Sequence, residues 1–338
     1  MNGLETDELV EVYRPRPYRP AVAERQPKRV PVVHIVLFAA TFATTTLAGA
    51  FNAGVNPFSD PSAIRAGFPF AVTLLSILLI HELGHYTLAR VHNVNASLPY
   101  FLPGPPFLIG TFGAFIRLKS LPESRRALFD VGAAGPWAGL MVAIPAVLIG
   151  LHFSEVRPAG MSDGGLMLGD SMLFKFLSWV ALGVSSDDVT IVLHPVALAG
   201  WIGLFVTLLN LLPIGQLDGG HITYAMFGRH HRWIARAALI VIGVMAYTSW
   251  PGWFVWVILP LMIGIDHPPT LEDYVPIRGW RRLGGWLTVA IFILLFTPAP
   301  FSESKPAAQF EGDKTPVLYR APQETSPFLE GGLRGIPL

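Results

Sequence analysis

Two histidines and a glutamate within one apolar stretch are the residues best suited to chemistry in this chain. His81, Glu82 and His85 lie inside an apolar run from about residue 70 to residue 91. At helical spacing the two histidines are one turn apart on one face, where their imidazoles can bind one Zn²⁺. Glu82 lies beside them and can accept a proton from a water at the metal. The alternative is a pair of helix-end histidines near a lipid interface.

The composition predicts that this run lies in a membrane. Hydrophobic residues make up 52% of the chain and charged residues only 14%, whereas soluble domains carry about 25% charged residues. The two histidines and the glutamate alone also fit a soluble zinc protease, but the almost unbroken apolar run around them argues against it. A net charge of +1 argues against a nucleic-acid partner. Because the chain has no cysteine, any metal site must use His, Asp or Glu.

The apolar runs predict an all-α, polytopic membrane helix bundle with about six to seven transmembrane helices. The predicted spans are residues 32–51, 70–91, 127–151, 195–212 and 283–297, with a helical hairpin at 233–249 and 252–265 and a half-inserted helix at 172–184. These spans define an integral membrane domain at 32–297. Residues 1–31 and 298–338 are rich in proline and polar residues, which predicts a disordered arm and a disordered tail.

The segment at 93–126 is apolar but contains too many proline and glycine residues for a helix. Its second half, Thr111 to Leu118, is rich in β-branched and aromatic residues and predicts a short membrane-associated β element. Non-helical backbone is tolerated at membrane depth only where it packs on protein or lines a cavity. A surface loop is the alternative. We predict that this segment contacts substrate through Thr111, Phe112 and Gly113.

A second group of chemically suitable residues follows the predicted span at 195–212. Asn210, Pro213 and Gly215 precede Asp218, and the helix should break near the proline and the glycine. Asp218 is therefore expected on a tight turn beside the bilayer. A catalytic zinc site needs three protein ligands and one open position, and Asp218 is the predicted third ligand. The alternative is a helix-capping turn. The other candidate ligands are His92, Glu123, Asp130 and His221.

The distribution of Lys and Arg predicts the orientation. The basic residues concentrate in the N-terminal arm and in every second loop, which places the N-terminus in the cytoplasm. Both the histidine pair and Asp218 then lie toward the cytoplasmic side, so the two motifs can meet in space.

Together the two motifs resemble the site-2 protease family of intramembrane zinc metalloproteases. The matching residues are 81–85 and 217–220, with Asn210 and Pro213 at the family's spacing. Residues 135–139 look like the Gly-Pro element of the family's third core helix. Gln216 stands where many members have proline, and this form resembles the branch shared by plant plastid and some bacterial members. The resemblance covers roughly residues 70–221, which would be the catalytic core.

The resemblance implies a zinc endopeptidase that cleaves a transmembrane-helix protein substrate within the lipid bilayer. Zn²⁺ would be held by His81, His85 and Asp218, Glu82 would act as general base, and Asn210 would contact the substrate backbone or the oxyanion. A bacterial plasma membrane is the expected location, with an organelle membrane as the alternative. Two other functions stay open from the residues alone, namely a metal-ion transporter and a catalytically silent membrane scaffold.

Overall fold

The computed structural model describes residues 31–120, 122–158, 165–184 and 189–304. These residues form a helix-rich structure with short strands between the helices. The α-helices are α1 Val32–Asn52, α2 Phe68–Val91, α3 Arg125–His152, α4 Met172–Leu182, α5 Pro195–Asn210, α6 Asp218–Phe227, α7 His231–Thr248, α8 Trp253–Ile263 and α9 Trp280–Leu295. The predicted arm, residues 1–31, lies almost wholly outside the described residues.

The described strands pair into three antiparallel two-stranded sheets. They are β1 Tyr100–Pro103, β2 Thr111–Phe115, β3 Glu155–Pro158, β4 Gly165–Leu168, β5 Val189–Val192 and β6 Phe301–Ser304, paired β1–β2, β3–β5 and β4–β6. The all-α prediction with a single β element was therefore too narrow. Strands of four or five residues give almost no periodic signal, and two of the three pairs join segments far apart in sequence.

Three helical stretches are long and apolar enough to cross a membrane. They are Val32–Asn52, Pro61–Val91, which joins a short 3₁₀ helix to α2, and Arg125–His152. Shorter apolar helices cover Met172–Leu182, Pro195–Asn210 and Trp253–Ile263. The chain is thus membrane-associated through at least these apolar helices, and the count of six to seven spans remains a prediction.

Helices α2, α3 and α5 form the centre of the structure and contact one another. Helix α2 has a proline in its first turn, where the missing N–H costs no hydrogen bond, and Arg90 in its last turn. Helix α3 starts at Ser124, whose hydroxyl accepts a hydrogen bond from the Ala127 N–H. A Cβ on Gly84 of α2 would lie 2.5 Å from the Ala134 carbonyl oxygen of α3. The two helices therefore approach so closely that only glycine fits there.

The β1–β2 hairpin packs against α1 and forms the predicted β element. Its register pairs Tyr100 with Phe115 and Phe101 with Ala114. The Thr44 hydroxyl of α1 donates to the Gly110 carbonyl oxygen at 2.6 Å. This bond attaches the turn of the hairpin to a helix that is long and apolar enough to cross a membrane.

The chain breaks between α5 and α6 where Pro213 and Gly215 predict a break. Helix α5 ends at Asn210 and α6 begins at Asp218. Gly215 has a φ of +56°, and its N–H donates to the Ile265 carbonyl oxygen at 2.9 Å. A Cβ on Gly219 would lie 2.0 Å from the Leu211 carbonyl oxygen. The turn is therefore compact and holds the start of α6 close to the end of α5.

The described structure continues to residue 304, past the predicted end of the membrane domain at residue 297. Strand β6 pairs with β4, Leu168 facing Phe301 in the register. The indole N–H of Trp253 also donates to the Pro298 carbonyl oxygen at 2.7 Å. A strand whose partner lies more than a hundred residues away leaves no local pattern in a proline-rich segment. The remainder of the predicted tail lies outside the described residues.

Candidate metal centre

His81 and His85 lie on the buried face of α2 and point to one place. Both are buried, and their Nε2 atoms are 3.1 Å apart. Nδ1 of His85 is 2.8 Å from the Val131 carbonyl oxygen. A carbonyl oxygen can only accept, so Nδ1 carries the hydrogen and Nε2 presents its lone pair. This is the tautomer that a metal-binding histidine requires.

Glycines on α3 make room for these imidazole rings. A Cβ on Gly135 would lie 2.0 Å from Nε2 of His85, and a Cβ on Gly139 would lie 3.2 Å from Nδ1 of His81. A third glycine, Gly132, lets α3 approach α6, because an added Cβ there would lie 2.8 Å from the Cβ of His221. The small residues at 135 and 139 therefore do more than let two helices approach, because they also accommodate side chains of the site.

Asp218 lies at the start of α6, within reach of both histidines. Its Oδ2 is 3.2 Å from Nε2 of His81, and its Oδ1 is 3.2 Å from Nε2 of His85. Tetrahedral ligands at Zn–N distances of about 2.0–2.1 Å are separated by about 3.3 Å. The observed separations match the edges of such a ligand set. Among the described residues, only these three side chains bring one ligand atom each within 4.8 Å of one another.

Glu82 is buried beside the histidines, with 5% of its surface exposed. The backbone N–H of Ile116, just after β2, lies close to its carboxylate. A buried carboxylate needs polar neighbours of this kind, because leaving it unpaired would be costly. The end of the hairpin thus lies beside the residue predicted to act as general base.

A cavity of about 400 Å³ connects these residues. It is lined by His81, Glu82, His85, residues 114–118, Val131, Asn210, residues 216–218 and His221. Asn210 ends α5 with its Nδ2 3.3 Å from Nε2 of His81. The predicted site residues on α2, α5 and α6 therefore share one polar cavity.

The cavity is bordered by the C-terminal half of the segment predicted to contact substrate. Thr111, Phe112 and Gly113 lie in β2 but do not line the cavity, whereas residues 114–118 do. The Thr111 hydroxyl is used within the hairpin, donating to the Leu102 carbonyl oxygen at 2.9 Å. The sequence pattern predicted the strand. Which end of the strand borders the cavity depends on how the hairpin packs on α1 and α2.

Strand alternation explains why this segment borders the cavity. The Arg117 carbonyl oxygen accepts from the Ser97 N–H at 3.0 Å, so residue 117 faces the preceding strand segment. Neighbouring residues of a strand direct their backbone groups to opposite sides. Ile116 therefore faces away from Ser97, in agreement with its position next to Glu82. The backbone edge that includes Ile116 is the one toward the cavity.

The other candidate ligands lie in different contacts. Asp130 is bound to Arg281, with distances of 2.8 Å and 2.7 Å to Nε and an η nitrogen, and to Nε2 of His92 at 2.8 Å. Glu123 is not part of the three-donor group, and its backbone oxygen accepts from the Glu272 N–H. These residues tie α3 to α9 and to the end of α2.

His221 lines the cavity without belonging to the donor group, and its Nδ1 is 2.7 Å from Nε2 of His267. Neither His267 nor Gln216, which lines the cavity, was predicted from the sequence to lie near the site. Nothing in the local pattern around residue 267 indicates a contact with a residue 46 positions earlier.

Comparison with known proteins agrees with this geometry. A model of Peptidase family M50 matches residues 69–250. "Probable zinc metalloprotease EGY1, chloroplastic" of Oryza sativa subsp. japonica is 31% identical over 267 residues, which cover 73% of this chain and 45% of that protein. "Probable zinc metalloprotease EGY2, chloroplastic" of Arabidopsis thaliana is 30% identical over 252 residues, covering 73% and 45%. The chain therefore spans less than half the length of these relatives.

The family match covers more than half of the chain and contains both motifs, from the histidine pair of α2 to Asp218 of α6. The chain belongs to Peptidase family M50, the site-2 protease family. This confirms the resemblance that the two motifs carry, and the chloroplastic relatives agree with the plant plastid branch.

Proposed function

We propose that this chain is a zinc endopeptidase that cleaves membrane-protein substrates within or next to a transmembrane helix. The observation that carries the proposal is the convergence of His81, His85 and Asp218 on one point. The relatives named as zinc metalloproteases support it. So does the burial of Glu82 on the wall of the same cavity.

His81 and His85, through Nε2, and Asp218, through its carboxylate, would hold the Zn²⁺. Their separations fit a tetrahedral ligand set that leaves one position open. When bound there, Zn²⁺ supplies Lewis-acid polarisation of a peptide carbonyl and lowers the pKa of water. The Val131 carbonyl oxygen holds the His85 ring in the ligand tautomer.

Glu82 would move the proton during hydrolysis. Its carboxylate takes a proton from the attacking water as the C–O bond forms, and it passes that proton to the amide nitrogen as the C–N bond breaks. The Ile116 N–H, next to the carboxylate, would help to hold it in place during both transfers. Asn210, whose Nδ2 lies next to His81, would donate to the substrate carbonyl oxygen.

A peptide bond inside a transmembrane helix must leave the helix before it can be attacked. The unwound backbone then needs new hydrogen-bond partners, because the lipid offers none. The backbone edge of residues 114–118 borders the cavity and would pair with the extended substrate as an added strand. We propose this edge, rather than Thr111, Phe112 and Gly113 alone, as the substrate-binding segment.

The proposed setting is an integral, multi-pass membrane domain at 32–297 with its catalytic core at about 70–221. The three long apolar helices support a membrane location. The basic residues of the N-terminal arm and of alternate loops support a cytoplasmic N-terminus. A bacterial plasma membrane is the location we propose.

Cleavage of a single-span reporter protein by the purified native chain and by Glu82→Gln tests the proposed function. The glutamine side chain has nearly the same size as glutamate and can still form hydrogen bonds. It cannot accept the proton from water. We expect both proteins to retain zinc and the variant to lose cleavage by at least about 10³-fold. Equal cleavage by both proteins would sink the proposal. Metal flux without cleavage would indicate the transporter, and neither activity would indicate the scaffold.

Proline at residue 114 tests the strand edge, with valine at the same position as the control. Ala114→Pro removes one backbone N–H from the edge, while Ala114→Val keeps it. We expect cleavage to fall about tenfold or more in the proline variant alone, with zinc content unchanged in both. Equal cleavage in the two variants would remove the added-strand arrangement and leave the metal site as proposed.

A further inference from the structure

His221 occupies a position in the cavity that the metal site leaves unexplained. It lies on α6, three residues after Asp218, and lines the cavity together with His81 and Glu82. It is half-buried. Its Cβ lies against α3 at Gly132, where an added Cβ would be only 2.8 Å away. This close packing of α6 on α3 fixes the point from which the imidazole extends.

A chain of hydrogen bonds determines which nitrogen of His221 carries the hydrogen. Nδ1 of His267 lies within hydrogen-bond distance of the Pro268 carbonyl oxygen, which can only accept, so Nδ1 is the protonated nitrogen. In the neutral ring, Nε2 of His267 is then an acceptor. It must receive its hydrogen from Nδ1 of His221, 2.7 Å away. The neutral His221 ring is left with a lone pair on Nε2.

The surroundings of His267 favour this neutral chain. The ring of Tyr224 stacks on it, with centroids 4.6 Å apart, so α6 contacts His267 through two residues one turn apart. Burial lowers the pKa of His267, which keeps the ring neutral near pH 7. The His267 ring is therefore fixed in orientation, and it is neutral, so that its Nε2 can accept a hydrogen bond.

The histidines around His267 do not form a second metal site. The third ring, His231, has its centroid 6.2 Å from that of His267. In the part of the chain that the structure describes, no set of three donors other than His81, His85 and Asp218 meets the distance for a shared ion. The short nitrogen–nitrogen contact between His221 and His267 is a hydrogen bond.

We propose that His221 is a substrate-binding residue whose Nε2 accepts a hydrogen bond from a backbone N–H of the unwound substrate, and that His267 is the positioning residue that fixes its tautomer. Among the described residues no hydrogen-bond partner is found for this Nε2 atom. An extended peptide exposes N–H groups on both sides, so one edge cannot satisfy all of them. The inference rests on the proposed peptidase function and names a second surface for the same substrate.

Two pairs of variants test the inference by their KM and kcat on the single-span reporter. His221→Asn keeps a donor near the Nδ1 position but has no acceptor that reaches the Nε2 position, whereas His221→Gln places an amide oxygen there. We expect KM to rise about tenfold in the asparagine variant, and about threefold or less in the glutamine variant, with little change in kcat. His267→Leu should raise KM, and His267→Gln, which retains an acceptor, should restore most of it.

Zinc content and an exposed histidine serve as controls. All four variants should retain zinc, and His230→Asn, which changes an exposed histidine outside the cavity, should keep native KM and kcat. Native constants in His221→Asn would overturn the inference, as would equal rises in KM for asparagine and glutamine. A parallel loss of zinc would also overturn it, because it would indicate a structural role. If the native chain cleaves nothing, the proposed function fails and this inference fails with it.

Discussion

Two groups of histidines flank the start of α6, and they differ in what their nitrogen atoms face. In the first, Nε2 of His81 and of His85 and the carboxylate of Asp218 face one another at 3.1–3.2 Å. In the second, Nδ1 of His221 faces Nε2 of His267, and the chain ends on a backbone carbonyl. Converging acceptors call for a cation, whereas a chain of alternating donors and acceptors is complete without one. Arrangement rather than residue type distinguishes a metal site from a hydrogen-bonded one.

Removal of Asp218 should produce the largest difference between the two histidine groups in bound zinc and cleavage. Asp218→Ala takes away one of three ligands and leaves two imidazoles that cannot hold zinc tightly. We expect loss of bound zinc and a decrease in cleavage of at least about 10³-fold. His267→Leu, in the second group, should keep its zinc. Metal analysis of the two purified variants checks the difference, and equal zinc in both would contradict it.

Replacing the glycines of α3 by alanine should have the next largest effect. The loss of zinc affinity should be larger where the added Cβ lies closer to a histidine ring. Gly135→Ala places a Cβ 2.0 Å from Nε2 of His85, so that ring must move, and we expect zinc affinity to fall about 10–100-fold. Gly139→Ala meets His81 at 3.2 Å and should cost much less. Competition with a zinc chelator measures both affinities. A larger loss in Gly139→Ala would show that α3 does not shape the ligand geometry in this way.

Asp130 forms a third polar cluster, which should affect stability rather than metal binding. Asp130→Asn weakens contacts to Arg281 and His92 that tie α9 and the end of α2 to α3. Since Arg281 is partly exposed, we expect a loss of about 1–3 kcal/mol of unfolding free energy. Thermal unfolding in detergent would report this loss. Loss of zinc at unchanged stability would instead make Asp130 part of the metal site.

His231 should give the smallest effect. It is buried, and its Nε2 has no hydrogen-bond partner in the described structure. His231→Phe replaces the imidazole by another aromatic ring and removes an unsatisfied polar atom. The free energy of unfolding should therefore change by less than about 1 kcal/mol or rise slightly. Zinc content and cleavage should be native. A marked loss of zinc or of cleavage would show that His231 takes part in the function proposed for His221 and His267.

Local spacing was enough to predict the parts of the site that one element supplies. The i, i+4 spacing of His81 and His85 placed them on one face of α2, and Pro213 and Gly215 marked the break before Asp218. The β-branched and aromatic residues after Thr111 indicated the hairpin. The charge pattern predicted that both motifs lie on one side of the membrane, and the motifs do converge in space.

The remaining features depend on contacts between distant segments. The bond between His221 and His267 joins α6 to the segment between α8 and α9. The β4–β6 pair joins strands more than a hundred residues apart in sequence. Residues 114–118, and not 111–113, border the cavity because the packing of the hairpin decides which end lies next to it. Four-residue strands and single long-range bonds leave no periodicity to detect.

X-ray absorption at the zinc edge of the native chain and of His221→Asn tests the difference between the two histidine groups most directly. We expect two imidazole nitrogens and a carboxylate oxygen at about 2.0–2.1 Å in both proteins, because His81, His85 and Asp218 supply the ligands. A third imidazole in the native spectrum that disappears in His221→Asn would contradict the account, since it would make the second group part of the metal site.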